Sequence, residues 1–336
     1  MTIGTRIATF NLENLDGDLS NPETLKKAPS LATRIQILKP QLMRLRADVL
    51  CLQEVNGQEV QGGGRKLVAL EQLLRGTPYE NYHVVATHTT EGPDKPFKER
   101  NLVVMSRYPI TQHTQVLNQY VTKPSYRQLT AVPPQADAKE IGWERPLLYA
   151  KIDLGTGQSL HVINAHLKSK LPTPIEGQYV AKEYCWRSAS AWAEGYFISS
   201  MKRVGQALEA RYLIDTIFDE DPAAWIIICG DFNSDCDDVP MNAIRGPVEE
   251  TGNASLANRV MVPCEFSVPE SARYSLLHLG EKAMLDHIVA SRGLLTYYRG
   301  TEIHNEVLPD ESGAFRTDVM FPESDHAPVV ADFEIG

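Results

Sequence analysis

Two apolar runs in this chain end on a carboxylate. Asp48-Val-Leu-Cys-Leu-Gln-Glu54 is one, and Trp225-Ile-Ile-Ile-Cys-Gly-Asp231-Phe-Asn233 is the other. A charge at the end of a buried strand is costly unless a cation or a proton transfer offsets the lost hydration. Either run alone also reads as a strand followed by an acidic turn; the repetition is what points to chemistry. Asp231 and Asn233 stand two residues apart, so in an extended segment they share one side while Phe232 faces away. A carboxylate and an amide facing one space suit a water-activating base beside a group that holds a phosphate oxygen or the water. Gly230 just before them permits close backbone approach or an unusual turn.

Histidines form the second set. In Asn164-Ala-His166-Leu-Lys168-Ser-Lys170, His166 leaves a predicted strand beside two cations, where an imidazole can donate to developing negative charge. His161, five residues earlier, falls on the opposite face of the strand, which argues against a two-histidine metal site. Asp286-His287 and Asp325-His326 each precede an apolar strand. Adjacent strand residues point oppositely, so Asp286 is not placed to serve His287. It is expected to orient His326 from a neighbouring strand and set its tautomer.

The elements that must position these groups are short. Apolar runs predict strands over Arg6–Phe10, Val49–Gln53, His83–Ala86, Leu102–Met105, Leu147–Ile152, Leu160–Ala165, Trp225–Cys229, His287–Ala290 and Val329–Phe333. Leu31, Ile35, Leu38, Leu42 and Leu45 follow a helical stripe, with Thr33 and Gln36 as a capping box and Pro40 predicting a kink or two short helices. Further helices are predicted over Leu67–Leu74 and Val204–Phe218. The mixture lacks regular strand–helix alternation, which implies layered α/β structure with mixed or antiparallel sheets. The chain is read as one unit over residues 1–336, with insertions near 112–145 and 171–200. The second carries Tyr179, Tyr184, Trp186, Trp192, Tyr196 and Phe197; it either packs on the body or covers the substrate.

Bulk properties narrow the class. With 336 residues, 43% of them hydrophobic and 23% charged, the chain can bury a sizeable core. The net charge of −10 argues against tight non-specific nucleic-acid binding over a broad surface, while leaving room for a local cationic cleft or a bound metal. Five cysteines, an odd number without a Cys-x-x-Cys pair, argue against a disulfide framework or a zinc ribbon. No apolar run reaches a membrane span, and Met1-Thr2-Ile3-Gly4-Thr5-Arg6 shows no signal segment. A cytoplasmic location is therefore favoured, with a secreted or periplasmic one as the alternative if a leader has been removed. Gly62-Gly63-Gly64-Arg65-Lys66 lacks the ending of a phosphate loop and reads as a turn. Lys95, Lys98 and Arg100 form a small basic cluster, either a solvated face or part of a substrate cleft.

The ordered set Phe10-Asn11-Leu-Glu13-Asn14-Leu, Leu52-Gln53-Glu54-Val, Asn164-Ala-His166-Leu, Gly230-Asp231-Phe-Asn233-Ser, Leu285-Asp286-His and Ser324-Asp325-His326 resembles the endonuclease/exonuclease/phosphatase superfamily. Asn101-Leu-Val-Val-Met-Ser-Arg-Tyr-Pro-Ile resembles the strand that precedes the second half of that fold. The resemblance spans residues 10 to 326. It implies a four-layer α/β sandwich, two mixed sheets packed face to face and flanked by helices. It implies Mg²⁺, with Mn²⁺ or Ca²⁺ as alternatives, held by Asn11, Glu54 and Asp325, with Glu54 as a direct ligand. It further implies that Asp231 orients or deprotonates water, that Asn233 binds phosphate, and that His326, paired with Asp286, contacts the scissile group. Asn11 and Lys168 join Asn233 as substrate contacts. His166 is similar to the deoxyribonuclease and neutral sphingomyelinase branch.

The expected activity is metal-dependent phosphoester hydrolysis, on a nucleic acid or nucleotide first. A lipid or inositol phosphate at a membrane is the alternative, and a catalytically inactive binding scaffold is a third reading. No obligate protein partner is evident, so a monomer is expected.

Overall fold

The computed structural model describes residues 3–17, 29–181, 185–313 and 320–335. Met1, Thr2 and Tyr184, which entered the reading above, lie outside them. Two six-stranded sheets form the body. The first contains β1 (Ile3–Leu15), β2 (Val49–Val55), β3 (His83–Ala86) and β4 (Asn101–Ser106), together with β11 (Tyr298–Ile303) and β12 (Val329–Ile335). Its order is β11-β12-β1-β2-β4-β3. The second contains β5 (Ile110–Val116), β6 (Leu147–Asp153), β7 (Ser159–His166), β8 (Trp225–Asp231), β9 (Met261–Pro263) and β10 (Asp286–Ser291), in the order β9-β10-β8-β7-β6-β5. Both sheets are mixed. β1–β2 and β7–β8 are parallel, and the other pairs are antiparallel.

Parallel neighbours require a crossover, and each is helical. Helix α1 (Leu31–Leu45) joins β1 to β2, and α3 (Ala189–Glu220) joins β7 to β8. Helices α2 (Val68–Leu74) and α4 (Val239–Arg245) complete the flanks. The central strands are buried on both faces, which is why they read as unbroken apolar runs. Between the sheets pack Ile7, Val49, Val104, Ala150, Val162, Ile227 and Ile288. α1 covers the first sheet through Leu38, Leu42 and Leu45, and α3 covers the second through Ala207, Ala210 and Ile214. This is the four-layer sandwich.

All nine predicted strands are present. Within the two six-stranded sheets, three strands escaped the sequence reading: β5, β9 and β11, each at a sheet edge. Edge strands are short or solvent-facing, so their apolar pattern fades. β5 accordingly takes residues 112–116 out of the segment read as an insertion. α1 is one helix despite Pro40, whose ring is on the exposed side, and its cap is Ser30 rather than Thr33: the Ser30 side chain accepts the Thr33 N–H at 3.1 Å. α3 starts fifteen residues before the predicted Val204, so Trp192, Tyr196 and Phe197 of the 171–200 segment are helical. Its early turns bury polar groups instead of an apolar stripe. Glu194 accepts from the Leu129 and Thr130 amides, and Arg203 donates to the Lys168 and Ser169 carbonyls. Tyr179 and Trp186 pack on one another, while Trp192 and Phe197 are about half exposed.

Two devices place the chemistry. Asn164 of β7 bridges the sheets: its Nδ2 donates to the Leu52 and Val103 carbonyls at 3.0 Å each, and its Oδ1 accepts from Gln53 Nε2 at 2.7 Å. A fully satisfied buried amide of this kind sets the register of the two layers. Gly230 sits at φ 134 beside β7, and a Cβ there would lie 1.9 Å from the Ala165 carbonyl oxygen. Gly230→Ala is expected to cost at least about 2 kcal/mol through strain and overpacking. A urea-unfolding midpoint equal to that of the parent chain would contradict this.

Candidate functional site

The parallel pairs deliver their C-terminal ends to one rim. β1 arrives with Asn11, β2 with Glu54, β7 with His166 and β8 with Asp231. β10 starts there at Asp286, paired with Asp231, and His326 lies just before β12. Open α/β sheets place ligands outside the carboxyl ends of their strands. The local backbone is unusual: Glu13, Asn14, Glu54, Arg100 and Asn233 have φ between 45 and 60°. The β1–β2 and β2–β4 ladders both shift register at this rim, which turns Glu54 out of the strand path.

Asp231 is the hub. Its Oδ2 accepts from Asn11 Nδ2 at 3.0 Å and Asn233 Nδ2 at 3.1 Å, and its Oδ1 accepts the Asn233 N–H at 2.9 Å. His166 Nε2 stands 3.3 Å from the same Oδ2 and 3.6 Å from Glu54 Oε1. Glu54 Oε2 accepts the Asn14 N–H at 3.0 Å. His326 Nδ1 lies 2.6 Å from Asp286 Oδ2, and its Nε2 lies 3.9 Å from Asp231 and 3.8 Å from Asp325.

Electrostatics follow from burial. Desolvation pushes the Asp231 carboxyl up to about 7; Asp286 and Glu54 add to this, while His326 and the Asn233 N–H oppose it. Burial likewise raises Asp325 to about 6 and Glu13 to about 8, the latter helped by Asp325. Burial disfavours the His326 imidazolium, but Asp286, Asp231 and Asp325 outweigh it and hold its pKa well above the usual value. His166 goes the other way: burial, then Arg145 and His326, depress it and keep the ring neutral.

The predicted residues therefore converge, with three adjustments. Asp286 serves His326 from another element, as expected, but the pair meets across the sandwich: Asp286 begins β10 of the second sheet, and His326 lies just before β12 of the first. Asn233 reaches Asp231 through a left-handed turn rather than an extended segment, and its Nδ2 donates to both Asp231 and the Leu167 carbonyl. The Lys168 ammonium turns to Ser169 Oγ and the Leu171 carbonyl, so it lies at the rim and not in the carboxylate cluster. His161 bonds Tyr149 away from the site, as its strand face requires.

Further residues at the site carry no motif of their own. Arg34 of α1 is buried and donates to the Leu12, Glu13, Asn14 and Pro322 carbonyls, bracing both motif-bearing loops. Its signal was a charge four residues before Leu38 on the apolar stripe. Arg145 donates to the Leu167 carbonyl and faces Glu54 and Asp231; no sequence pattern marked it. Of the basic cluster, Arg100 reaches the site, 4.0 Å from Glu54 Oε1, while Lys95 pairs with Glu91.

Residues 8–326 match the Endonuclease/Exonuclease/phosphatase family. The chain belongs to this family. No curated protein matches it significantly. Solved structures share the fold. Truncated TDP2 of Caenorhabditis elegans is 15% identical with a TM-score of 0.55, over 98% of each chain. A family protein from Bacteroides vulgatus is 16% identical, also with a TM-score of 0.55, over 99% of this chain and 100% of that one. The 3′ phosphatase NExo from Neisseria, solved with a product DNA hairpin, is 15% identical with a TM-score of 0.51, over 98% and 99%. At such identities the likeness is one of fold.

Family members are typically metal-dependent phosphoester hydrolases, and this donor set fits a hard divalent cation. Carboxylate oxygens dominate, and Asp286 Oδ1 and Asp325 Oδ1 are buried without a hydrogen-bond partner. Asp231, Asp286 and His326 place donor atoms within 4.8 Å of one another.

Proposed function

We propose that this chain is a Mg²⁺-dependent hydrolase that cleaves a phosphodiester of a nucleic acid or nucleotide by in-line attack of water. The observation that carries the reading is the buried Asp231 carboxylate, ringed by two amides and two imidazoles next to Glu54. Asp231 takes the water proton, and the amides of Asn11 and Asn233 hold its carboxylate in place for that transfer. His326, charged and oriented by Asp286, stabilises the phosphoryl oxygens. Glu54 and Asp325, with the Asn11 carbonyl, would hold the metal, whose bound form neutralises charge on those oxygens. Arg100, Arg145 and Lys168 line the rim as cations suited to flanking phosphates.

A second reading, a lipid phosphoesterase, has one observation in its favour. Leu129, Leu171, Trp192 and Phe197 are exposed. All four lie along the first half of α3 or against it: Leu129 precedes Thr130, which bonds Glu194, Phe197 packs on Tyr126, and the Leu171 carbonyl accepts from Ser199. Exposed Leu, Trp and Phe side chains suit shallow contact with a lipid surface.

Hydrolysis of bis-p-nitrophenyl phosphate that EDTA abolishes and Mg²⁺ restores tests the class. DNA, RNA, sphingomyelin and phosphoinositides compared at equal enzyme then separate the two readings. Inactivity on every substrate would support the scaffold instead. Within the class, Glu54→Gln is expected to shift the Mg²⁺ activation curve to higher concentration, because an amide is a weaker ligand than a carboxylate. A curve superimposable on that of the parent chain would remove Glu54 from the ligand set.

A further inference from the structure

A second cluster with different donor chemistry lies directly behind these residues. Cys236, Glu265 and His287 bring a thiol, a carboxylate and an imidazole together, their donor atoms within 4.8 Å of one another. They come from the turn after β8, a short 3-10 turn at Cys264–Ser267, and the second residue of β10. Glu265 and His287 are fully buried, while Cys236 is partly exposed. His287 Nε2 lies 2.8 Å from the Ser234 carbonyl, and Nδ1 lies 2.5 Å from Glu265 Oε1. Cys236 Sγ lies 4.0 Å from the same oxygen. Two buried atoms have no hydrogen-bond partner: Glu265 Oε2 in the cluster, and Oγ of Ser234, the residue whose carbonyl meets His287. An imidazolium–carboxylate pair accounts for the short N–O contact. It leaves unexplained a buried carboxylate oxygen without a donor, in a place where native structures satisfy polar atoms.

We propose that Cys236, Glu265 and His287 form a second metal site, for a borderline-soft divalent ion of the Zn²⁺ kind. Sulfur, nitrogen and oxygen donors in one set select such an ion over Mg²⁺. A ring N–H given to a backbone carbonyl, with the other nitrogen turned to the ion, is the usual support for a metal-bound histidine. Tetrahedral zinc bonds of about 2.0–2.3 Å put donors roughly 3.3–3.7 Å apart. Glu265 and His287 therefore part by about 1 Å on loading, and the thiol closes by a few tenths. Loading releases two protons to solvent, one from Nδ1 and one from Sγ, so the bound set is one thiolate, one carboxylate and one neutral imidazole. Water completes the fourth position. The ion ties the turn carrying Asn233 to the strand carrying Asp286. The proposal stands apart from the hydrolytic reading, since its readout needs no turnover.

The test uses the full chain, stripped of metal and kept in excess Mg²⁺ so that the oxygen donors are saturated, and titrated with Co²⁺. One equivalent is expected to bring up a near-ultraviolet thiolate-to-cobalt absorption that Zn²⁺ then displaces. Cys236→Ser loses this band, and Cys185→Ser keeps it. In the unsubstituted chain, Zn²⁺ protects Cys236 from alkylation while exposed Cys185 still reacts, a measurement that needs no variant to fold. Absence of the band, its survival in Cys236→Ser, or unchanged alkylation of Cys236 overturns the site and leaves Glu265–His287 as a plain buried ion pair.

Discussion

Asp231→Asn is expected to lower turnover about a hundredfold or more, the usual cost of losing a general base. The measurement is kcat on bis-p-nitrophenyl phosphate at saturating Mg²⁺. The substitution nearly conserves volume, but the surroundings of this carboxylate are not neutral toward it. One oxygen faces the Asn233 N–H and the other faces the Asn11 and Asn233 amides. An asparagine must turn its own NH₂ toward one of these donors. A stability loss of about 1–3 kcal/mol is therefore expected beside the kinetic defect. Turnover is compared only where circular dichroism shows the variant folded. A folded variant that keeps more than about a tenth of the parent rate would end the base assignment.

The second large effect concerns the imidazole opposite. His326→Ala and Asp286→Asn are each expected to lower turnover by about a hundredfold or more, and the double variant should be little worse than the poorer single one. The reason is geometric. Asp286 Oδ2 lies 2.6 Å from His326 Nδ1, and the carboxylate both orients the ring and keeps it charged. Remove the acid and the ring loses its direction and the largest of the charges that favour its protonated form; remove the ring and the acid has nothing to hold. Non-additivity of this size is the signature of a unit. Factors that simply multiply would show that the two residues act separately, with Asp286 serving only the Ser275 turn that its own N–H contacts. Asp286→Asn also leaves a buried group to be satisfied, so its unfolding midpoint belongs in the same experiment.

Both predictions rest on residues that stood out in the chain, and the reason is physical. A strand buried on both faces must be an apolar run, so Val49–Val55 and Trp225–Asp231 announce themselves, and a carboxylate at the end of either is conspicuous. Gly230 was legible for a related reason, since only a residue without a Cβ fits against the Ala165 carbonyl. Where an element does not bury an apolar stripe, the pattern disappears. The first half of α3 buries Glu194, Ser199 and Arg203 against loops, and the edge strand β5 exposes most of its residues, so neither could be read.

The amino-acid sequence by itself determined the family, the central strands and the set of acids, amides and histidines that reach the rim, because these depend on local runs and short motifs. The tertiary structure alone decided who meets whom. Asp286 finds His326 across the two sheets, 40 residues away, and Arg34 braces Pro322 from 288 residues away. Asn164, read beside a catalytic histidine, instead joins the layers through Leu52 and Val103. Arg145 joins the site only because β6 lies next to β7. Such pairings are set by how two twisted sheets stack, and the energy that selects them is spread over the whole core between the sheets rather than written in any one segment.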